Sequence, residues 1–355
     1  MNPLHLSGFG LEILTSNAKP HAELMIQDGR SAGNLGDRHL FLPRKFEHDS
    51  IVVENGTGHI SLGALRWLSR HNIPIFFLDF DGSTISQVLP AAPIKADLRV
   101  AQIRASVNQA LRFKVAHALV EAKIQRSLEV LDLLAGRYHI EKEKKKVQRE
   151  ARRLSEAVKF DQLLSVEAHV ARKYWEAYQK AMPQRLRFEG RLSDSRNNNA
   201  TDPVNAALNY GYGFLKVECR TAINTVGLEP AVGFLHETSS QQTAESLVYD
   251  LEEPFRFLVD LTVVKAFESG WLNVGDFEFT RDDYLYRLRF EAKERFLLLL
   301  RQRFNSGVEY GGRTLKYDTL IEEKAVELAR YLTGRSRSLS FETSSSLIRR
   351  HDSAS

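Results

Sequence analysis

Residues 1–90 carry apolar runs a few residues long, cut by turn signals, whereas beyond residue 97 the apolar positions recur every three or four residues. A period of two belongs to strands and one of 3.6 to helices, so the pattern predicts a β-rich front and a helical back. The front runs are "LEIL", "AELMIQDGR", "RHLFLPR", "DSIVVENGTGH" and "IPIFFLDFDG". Asp28-Gly29, Asn55-Gly56 and Asp81-Gly82 are the dipeptides that tight turns require, because they tolerate positive φ. One helix is expected in this part, over 61–72, with Ser61 as N-cap and Leu62, Leu65 and Leu68 at helical spacing. Two prolines and a polar turn in 89–98 mark a boundary.

The back opens with a long amphipathic helix from 97, followed by helices over 161–182, 202–227, 245–269, 283–305 and 320–334. In the third of these Asp202 is placed as N-cap, Pro203 takes the first helical position and Gly227 lies just past the end. Pro254 cannot donate to the carbonyl of Asp250, so the segment 245–269 is expected to kink there or to leave that oxygen free. The chain therefore reads as an α+β multidomain protein: a β-rich domain over 1–90, a linker over 91–96, an all-helical domain over 97–334 and a poorly ordered Ser- and Arg-rich tail over 335–355.

Composition narrows the class. With 355 residues, 43% of them hydrophobic, the chain can fill one large core or two ordinary ones. Its single cysteine, Cys219, allows no internal disulfide and suits a reducing, cytoplasmic setting. The start "MNPLHLSGFGLEIL" lacks the basic and apolar regions of a signal peptide, and no run approaches the roughly 20 apolar residues that cross a bilayer. A soluble intracellular protein with no membrane part is expected. The net charge of +4 identifies no partner by itself, but basic residues bunch at 141–153, 185–191 and 335–340. The first run is most simply a solvated helix face.

The candidate chemistry lies in acidic residues and one histidine. Asp250 and Glu253 are three apart and share one face of a helix, where they repel unless an arginine or a metal ion stands between them. Glu167, in "LLSVEAHVARKYWEAY", falls on or beside an apolar stripe, a costly place for a carboxylate that is neither paired nor metal-bound. His236 closes the apolar run "AVGFLH". Carboxylates joined by one imidazole suit a hard cation of the magnesium or manganese type. The plainer alternative is a core histidine with satisfied hydrogen bonds, Glu167 paired with Arg172 or Lys173, and Asp250 paired with Arg256. CxxC, HExxH, phosphate-binding glycine loops and serine-hydrolase patterns are absent. Residue chemistry alone leaves both readings open.

The order of motifs adds to this. "DPVNA", "GLEPAVGFLH" and "LVYDLEEPFR" stand in succession, and "GHISLGALRWLSRHNIPIFFLDFDG" precedes them. In these blocks the chain resembles the CRISPR-associated protein one family, the integrases of spacer acquisition, over most of residues 5–334. The resemblance implies an N-terminal β-sandwich-like domain that dimerises and a helical catalytic domain behind it. It implies Glu167, His236 and Glu253 as catalytic ligands of Mg²⁺ or Mn²⁺, with Asp250 auxiliary. Lys216, where many members carry tyrosine, joins Arg220 and Arg256 as expected phosphate contacts. The partners implied are double-stranded DNA (prespacer and CRISPR repeat), a second copy of the chain and a dimer of the small ferredoxin-like CRISPR-associated protein two. The implied reaction is attack of a DNA 3′-hydroxyl on a target phosphodiester. The alternatives are a stand-alone nuclease, a transposon-type integrase of the same fold, or a non-catalytic DNA-binding scaffold.

Overall fold

The computed structural model describes residues 3–16, 23–30, 36–42, 45–48, 50–79, 84–88, 95–191, 200–236, 245–280 and 285–343. The chain divides into two compact units, Met1–Ile94 and Lys95–Ser355.

In the first unit six strands form one sheet: β1 (Leu4–Thr15), β2 (Leu24–Gln27), β3 (Arg38–Phe41), β4 (Ile51–Ile60), β5 (Ile75–Leu78) and β6 (Thr84–Val88), in the order β3-β2-β1-β4-β5-β6. β4 runs parallel to both β1 and β5, and the outer pairs are antiparallel. Helix α1 (Leu62–Arg70) makes the crossover from β4 to β5, and the Ser61 hydroxyl caps it by accepting from the Ala64 N–H at 3.1 Å. Ala64, Trp67 and Leu68 pack onto Leu6, Ile13, Ile26, Val53 and Ile75. Among the described residues the strands of the expected strand-rich domain form a single mixed sheet with a helix on one face. A parallel pair needs a crossover, and here α1 supplies both the crossover and the apolar cover.

Strand β1 places Leu4 and Leu6 in the core, and then Leu11 and Ile13, a change of phase that a regular strand forbids. Its register against β4 shifts between Ser7 and Leu11. Gly8, at φ 89°, sits where an added Cβ would lie 2.8 Å from the Arg30 carbonyl oxygen, so this irregularity requires glycine. Two turn assignments change accordingly. Asn55-Gly56 lies inside β4, opposite the irregular stretch, and Asp28 ends β2 by accepting from the N–H groups of Ser7 (2.9 Å) and Gly29 (2.8 Å). Asp81-Gly82 lies outside the described residues.

The second unit is built around α6 (Pro203–Val226), which is buried along nearly its whole length. Its ends follow the sequence grammar: Asp202 accepts from the Asn205 N–H at 2.8 Å, and Gly227 closes the helix at φ 90°. Around it lie α2 (Ala96–Val107), α3 (Gln109–Ala135), α4 (Glu141–Arg152), α5 (Phe160–Ala181), α7 (Ser246–Glu252), α8 (Arg256–Glu268), α9 (Phe290–Phe304) and α10 (Tyr317–Leu332). The long first helix is broken at Asn108, whose side chain caps α3 by accepting from the Leu111 N–H at 3.0 Å.

The unit is not wholly helical. β7 (Phe277–Thr280) pairs with β8 (Leu285–Leu288), and β9 (Gly307–Tyr310) with β10 (Arg313–Lys316). The expected helix over 283–305 therefore begins only at Phe290, because Leu285–Leu288 pairs as a strand with β7 and buries Leu288 in the core. The basic run 141–153 forms α4 and an ensuing turn, with Val147 in the core and most of its charges outward. Cys219 is buried, and burial pushes its thiol pKa well up, so it is inert. No helix among the described residues is long and apolar enough to cross a membrane.

The expected disordered tail is corrected over 335–343. Phe341 is 1% exposed and joins the main core, and the Lys324 ammonium donates to the Ser340 carbonyl at 3.0 Å. Residues 344–355 lie outside the described residues. Phe341→Ala is expected to cost about 3 kcal/mol of stability, seen as a lower urea midpoint at unchanged slope. A change below about 0.5 kcal/mol would show that this segment is not part of the core.

Candidate active site

Four segments of the second unit bring charged side chains to one place. α3 contributes Lys123, α5 contributes Glu167, the loop after α6 contributes His236, and the junction of α7 with α8 contributes Asp250, Glu253 and Arg256. In α5, Leu163, Val166, Val170 and Tyr174 are buried, which leaves Glu167 at the margin of the apolar stripe with a side chain 22% exposed. At the junction Pro254 breaks the α-helical ladder and Glu253–Phe255 form a 3₁₀ turn. The Asp250 carbonyl is not left free there: the Glu253 N–H donates to it.

Asp250 is fully buried and organises the histidine loop. Its Oδ2 accepts from the N–H groups of Phe234 (2.5 Å) and Leu235 (3.1 Å), and its Oδ1 from the His236 N–H (2.9 Å). Oδ1 also lies 2.8 Å from His236 Nδ1. An ionised carboxylate only accepts, so the imidazole proton sits on Nδ1 and the neutral ring turns its Nε2 lone pair outward. That Nε2 stands 4.0 Å from Glu253 Oε1. Burial opposes the charged imidazole, but the hydrogen bond and charge of Asp250 outweigh it and raise the His236 pKa.

Lys123 fills the space between the two glutamates. Its ammonium pairs with Glu167 Oε1 and lies 2.8 Å from Glu253 Oε2. Arg256 braces Glu253 from another side, with Nε 3.3 Å from Oε1, while its guanidinium lies over the Tyr212 ring at 4.7 Å. Burial alone would raise the Glu253 pKa, yet Arg256 and Lys123 together pull it down to about 2. Its neighbour Glu252, dominated by burial, is pushed up to about 7. Behind the cluster the Asp260 carboxylate accepts from the hydroxyls of Tyr174 and Tyr212, both at 2.5 Å.

The structure thus brings Glu167, His236, Asp250 and Glu253 together, and adds Lys123, which sequence reasoning missed. Lys123 sits in an amphipathic run like any surface lysine, and no local signal marks it. Glu167 pairs with it rather than with Arg172 or Lys173. The fit to a divalent cation rests on donor chemistry, two carboxylates and an imidazole Nε2. As the side chains stand, no three described His, Cys, Asp or Glu groups converge closely enough to hold one ion, and the Lys123 ammonium pairs with both glutamates.

The three residues expected to contact phosphate are all engaged by carboxylates of the chain itself. Lys216 and Arg220 are nearly buried and both pair with Glu245, and Lys216 also donates to the Tyr249 hydroxyl at 3.2 Å. Arg256 is engaged by Glu253 and Glu252. Cations this close to the core must be neutralised by the chain itself, and these are. A groove of about 990 Å³ runs beside Glu167, its lining including Arg172, Trp175, Glu176, Gln179, Glu189 and Arg191.

A family model described as CRISPR associated protein Cas1 matches residues 45–302, the larger part of the chain. The chain belongs to the Cas1 family. A Cas1 endonuclease of Archaeoglobus fulgidus is 29% identical to it over 304 residues, covering 81% of this chain and 87% of the relative. One from Methanospirillum hungatei is 27% identical over 337 residues, covering 94% and 96%. Among solved structures, a casposase bound to integration product superposes with a TM-score of 0.88 at 33% identity, covering 99% of this chain and 96% of that one. A Cas1 protein from Thermotoga maritima shares the fold with a TM-score of 0.74 at 20% identity.

In this Cas1-family chain, Asp250→Ala would leave three backbone N–H groups and an imidazole without their acceptor. The expected loss is about 3 kcal/mol or more in chemical denaturation, together with faster amide exchange at 234–236 than elsewhere in the unit. Unchanged protection at those amides would contradict the organising role.

Proposed function

We propose that this Cas1-family chain is a metal-dependent DNA endonuclease and integrase that inserts new spacers into CRISPR arrays. The observation that carries the reading is the meeting of Glu167, Glu253 and the Nε2 edge of His236, aimed by Asp250. Relatives named as endonucleases and a casposase bound to integration product support it.

The chemistry is an in-line displacement at phosphorus. A donor 3′-hydroxyl loses its proton and forms a new P–O bond, and the target strand's own P–O3′ bond breaks to release a 3′-hydroxyl. Water in the attacking position gives strand cleavage instead. Glu167 and Glu253 would hold Mg²⁺ or Mn²⁺ through oxygen and His236 through nitrogen. The bound ion would offset charge on the phosphate oxygens and acidify the attacking hydroxyl. Asp250 keeps the proton on Nδ1, so that Nε2 remains a lone-pair donor. Arg256 holds Glu253 ionised and in place. In the groove beside Glu167, the exposed Arg172 is a candidate for a phosphate and Trp175 for a base, with Glu176 and Glu189 on the same lining.

The DNA partners are a prespacer and a CRISPR repeat, and the setting is the cytoplasm. A homodimer through residues 1–90 is supported by edge strands β3 and β6, which expose Leu40 (56%) and Ile85 (62%). A dimer of the ferredoxin-like CRISPR-associated protein two completes the assembly. The Cas1 fold of a solved Cas6-RT-Cas1–Cas2 complex, similar here with a TM-score of 0.76 at 20% identity, supports that partner. A second reading, a transposon-type integrase, is favoured by the casposase likeness over nearly the whole of both chains. Integration into repeat DNA that depends on the small partner supports the first reading; integration of transposon ends by this chain alone supports the second.

His236→Ala and Glu253→Gln are expected to abolish strand transfer while the fold and duplex binding persist. Asp250→Asn is expected to lose about 10–100-fold and to recover in part at raised Mn²⁺. Near wild-type transfer by folded His236→Ala would remove His236 from the catalytic site, and absence of transfer in the wild-type chain itself would favour the non-catalytic DNA-binding scaffold. Equal and unrescued loss at 250 and 253 would make both residues direct ligands.

The pH profile follows from the imidazole. Its protonated form offers no lone pair, and its pKa is raised above the ordinary 6.5. Transfer should therefore fall on the acid side through a midpoint above that value, and Asp250→Asn should move the midpoint to lower pH. A midpoint unmoved by Asp250→Asn would separate the acid limb from His236.

A further inference from the structure

We infer that Lys123 is a built-in counter-ion that stands in the cation's place when none is bound and has to withdraw before one can enter. The inference rests on the metal-site reading given above and concerns what that site holds in the free protein. Three observations carry it. The Lys123 ammonium lies between Glu167 and Glu253, paired with the first and 2.8 Å from the second. No other described lysine, arginine or histidine stands in ion-pair range of Glu167. The same two carboxylates are the oxygen donors that a divalent ion would need.

The other cation of the cluster behaves differently. Arg256 is wedged over Tyr212 and holds Glu253 Oε1, the oxygen nearer His236, so it braces one ligand without filling the space between two. Lys123 is a compact point charge on a flexible four-carbon stem, with a side chain 20% exposed, and a rotamer change takes it out. Without any cation, Glu167 and Glu253 would face each other as two poorly solvated negative charges. Lys123 removes that repulsion, and the cost appears in affinity. A site blocked for more than about nine-tenths of the time binds its ion at least tenfold more weakly than an open one.

The test uses the full-length chain and Mn²⁺ itself, with Mn²⁺ affinity from calorimetry and melting temperature with and without the ion. Lys123→Gln is expected to bind Mn²⁺ about tenfold or more tightly than wild type. It should melt lower than wild type without Mn²⁺ and gain more on its addition. Lys123→Arg keeps the charge but grips two carboxylates through its planar fork, so it should bind Mn²⁺ no better than wild type, and several-fold more weakly if the fork is bidentate. Should Lys123→Gln fail to fold, tighter Mn²⁺ binding by Lys123→Arg would overturn the inference. Wild-type binding that is lost in Glu167→Gln, with Lys123→Gln binding no tighter, would overturn it while leaving the metal site standing. Absence of Mn²⁺ binding in wild type and Lys123→Gln alike would overturn the metal site and this inference together.

Discussion

A carboxylate with no access to water is the interaction on which the candidate site depends. Asp250 is sealed in, and three consecutive peptide N–H groups and one imidazole N–H converge on its two oxygens. Each donor helps to meet the desolvation cost of the charge, and the charge in turn fixes the loop that presents His236. The same bond that anchors the loop also sets the tautomer, so structural and chemical roles coincide in one residue. Gln102 secures the other end of the loop, donating to the carbonyls of Glu229 (2.9 Å) and Val232 (2.7 Å) and accepting from the Glu229 N–H (2.8 Å).

Around this point the protein holds an unusual amount of charge away from solvent and balances it locally. Glu245 answers Lys216 and Arg220, Arg256 answers Glu252 and Glu253, and Lys123 answers Glu167 and Glu253. Burial lowers the Arg220 pKa to about 10 and raises that of Asp260 to about 6, so the balance is not free of strain. Such a set of pairs is weak evidence for added stability, since buried ion pairs often do no better than apolar contacts.

The sheet of the first unit shows the same interplay of local need and wider packing. Gly8 permits the irregularity in β1, the irregularity turns Leu11 and Ile13 to the side already occupied by Leu4 and Leu6, and α1 then has one continuous apolar face to cover. In the second unit the chain past α10 adds Phe341 to the core, although its Ser- and Arg-rich composition carries no periodic signal.

By itself the sequence determined the features whose causes are local. Hydrophobic period separated strands from helices, the capping residues Ser61, Asp202 and Gly227 set helix ends, and Pro254 set the break that turns Glu253 inward. The ordered blocks around Asp202, His236 and Glu253 carried the family, because several spaced motifs are far more specific than one. Only the tertiary structure decided which charges meet. Glu167 had Arg172 and Lys173 as neighbours in sequence but pairs with Lys123, 44 positions away, and Lys216, Arg220 and Arg256 proved to be committed to carboxylates of the same chain. It also decided that the front is one mixed sheet and that Leu285–Leu288 is a strand, since both follow from pairing partners rather than from their own periodicity. A charge's partner is fixed by the packing of helices distant in sequence, and periodicity along a single element holds no record of that.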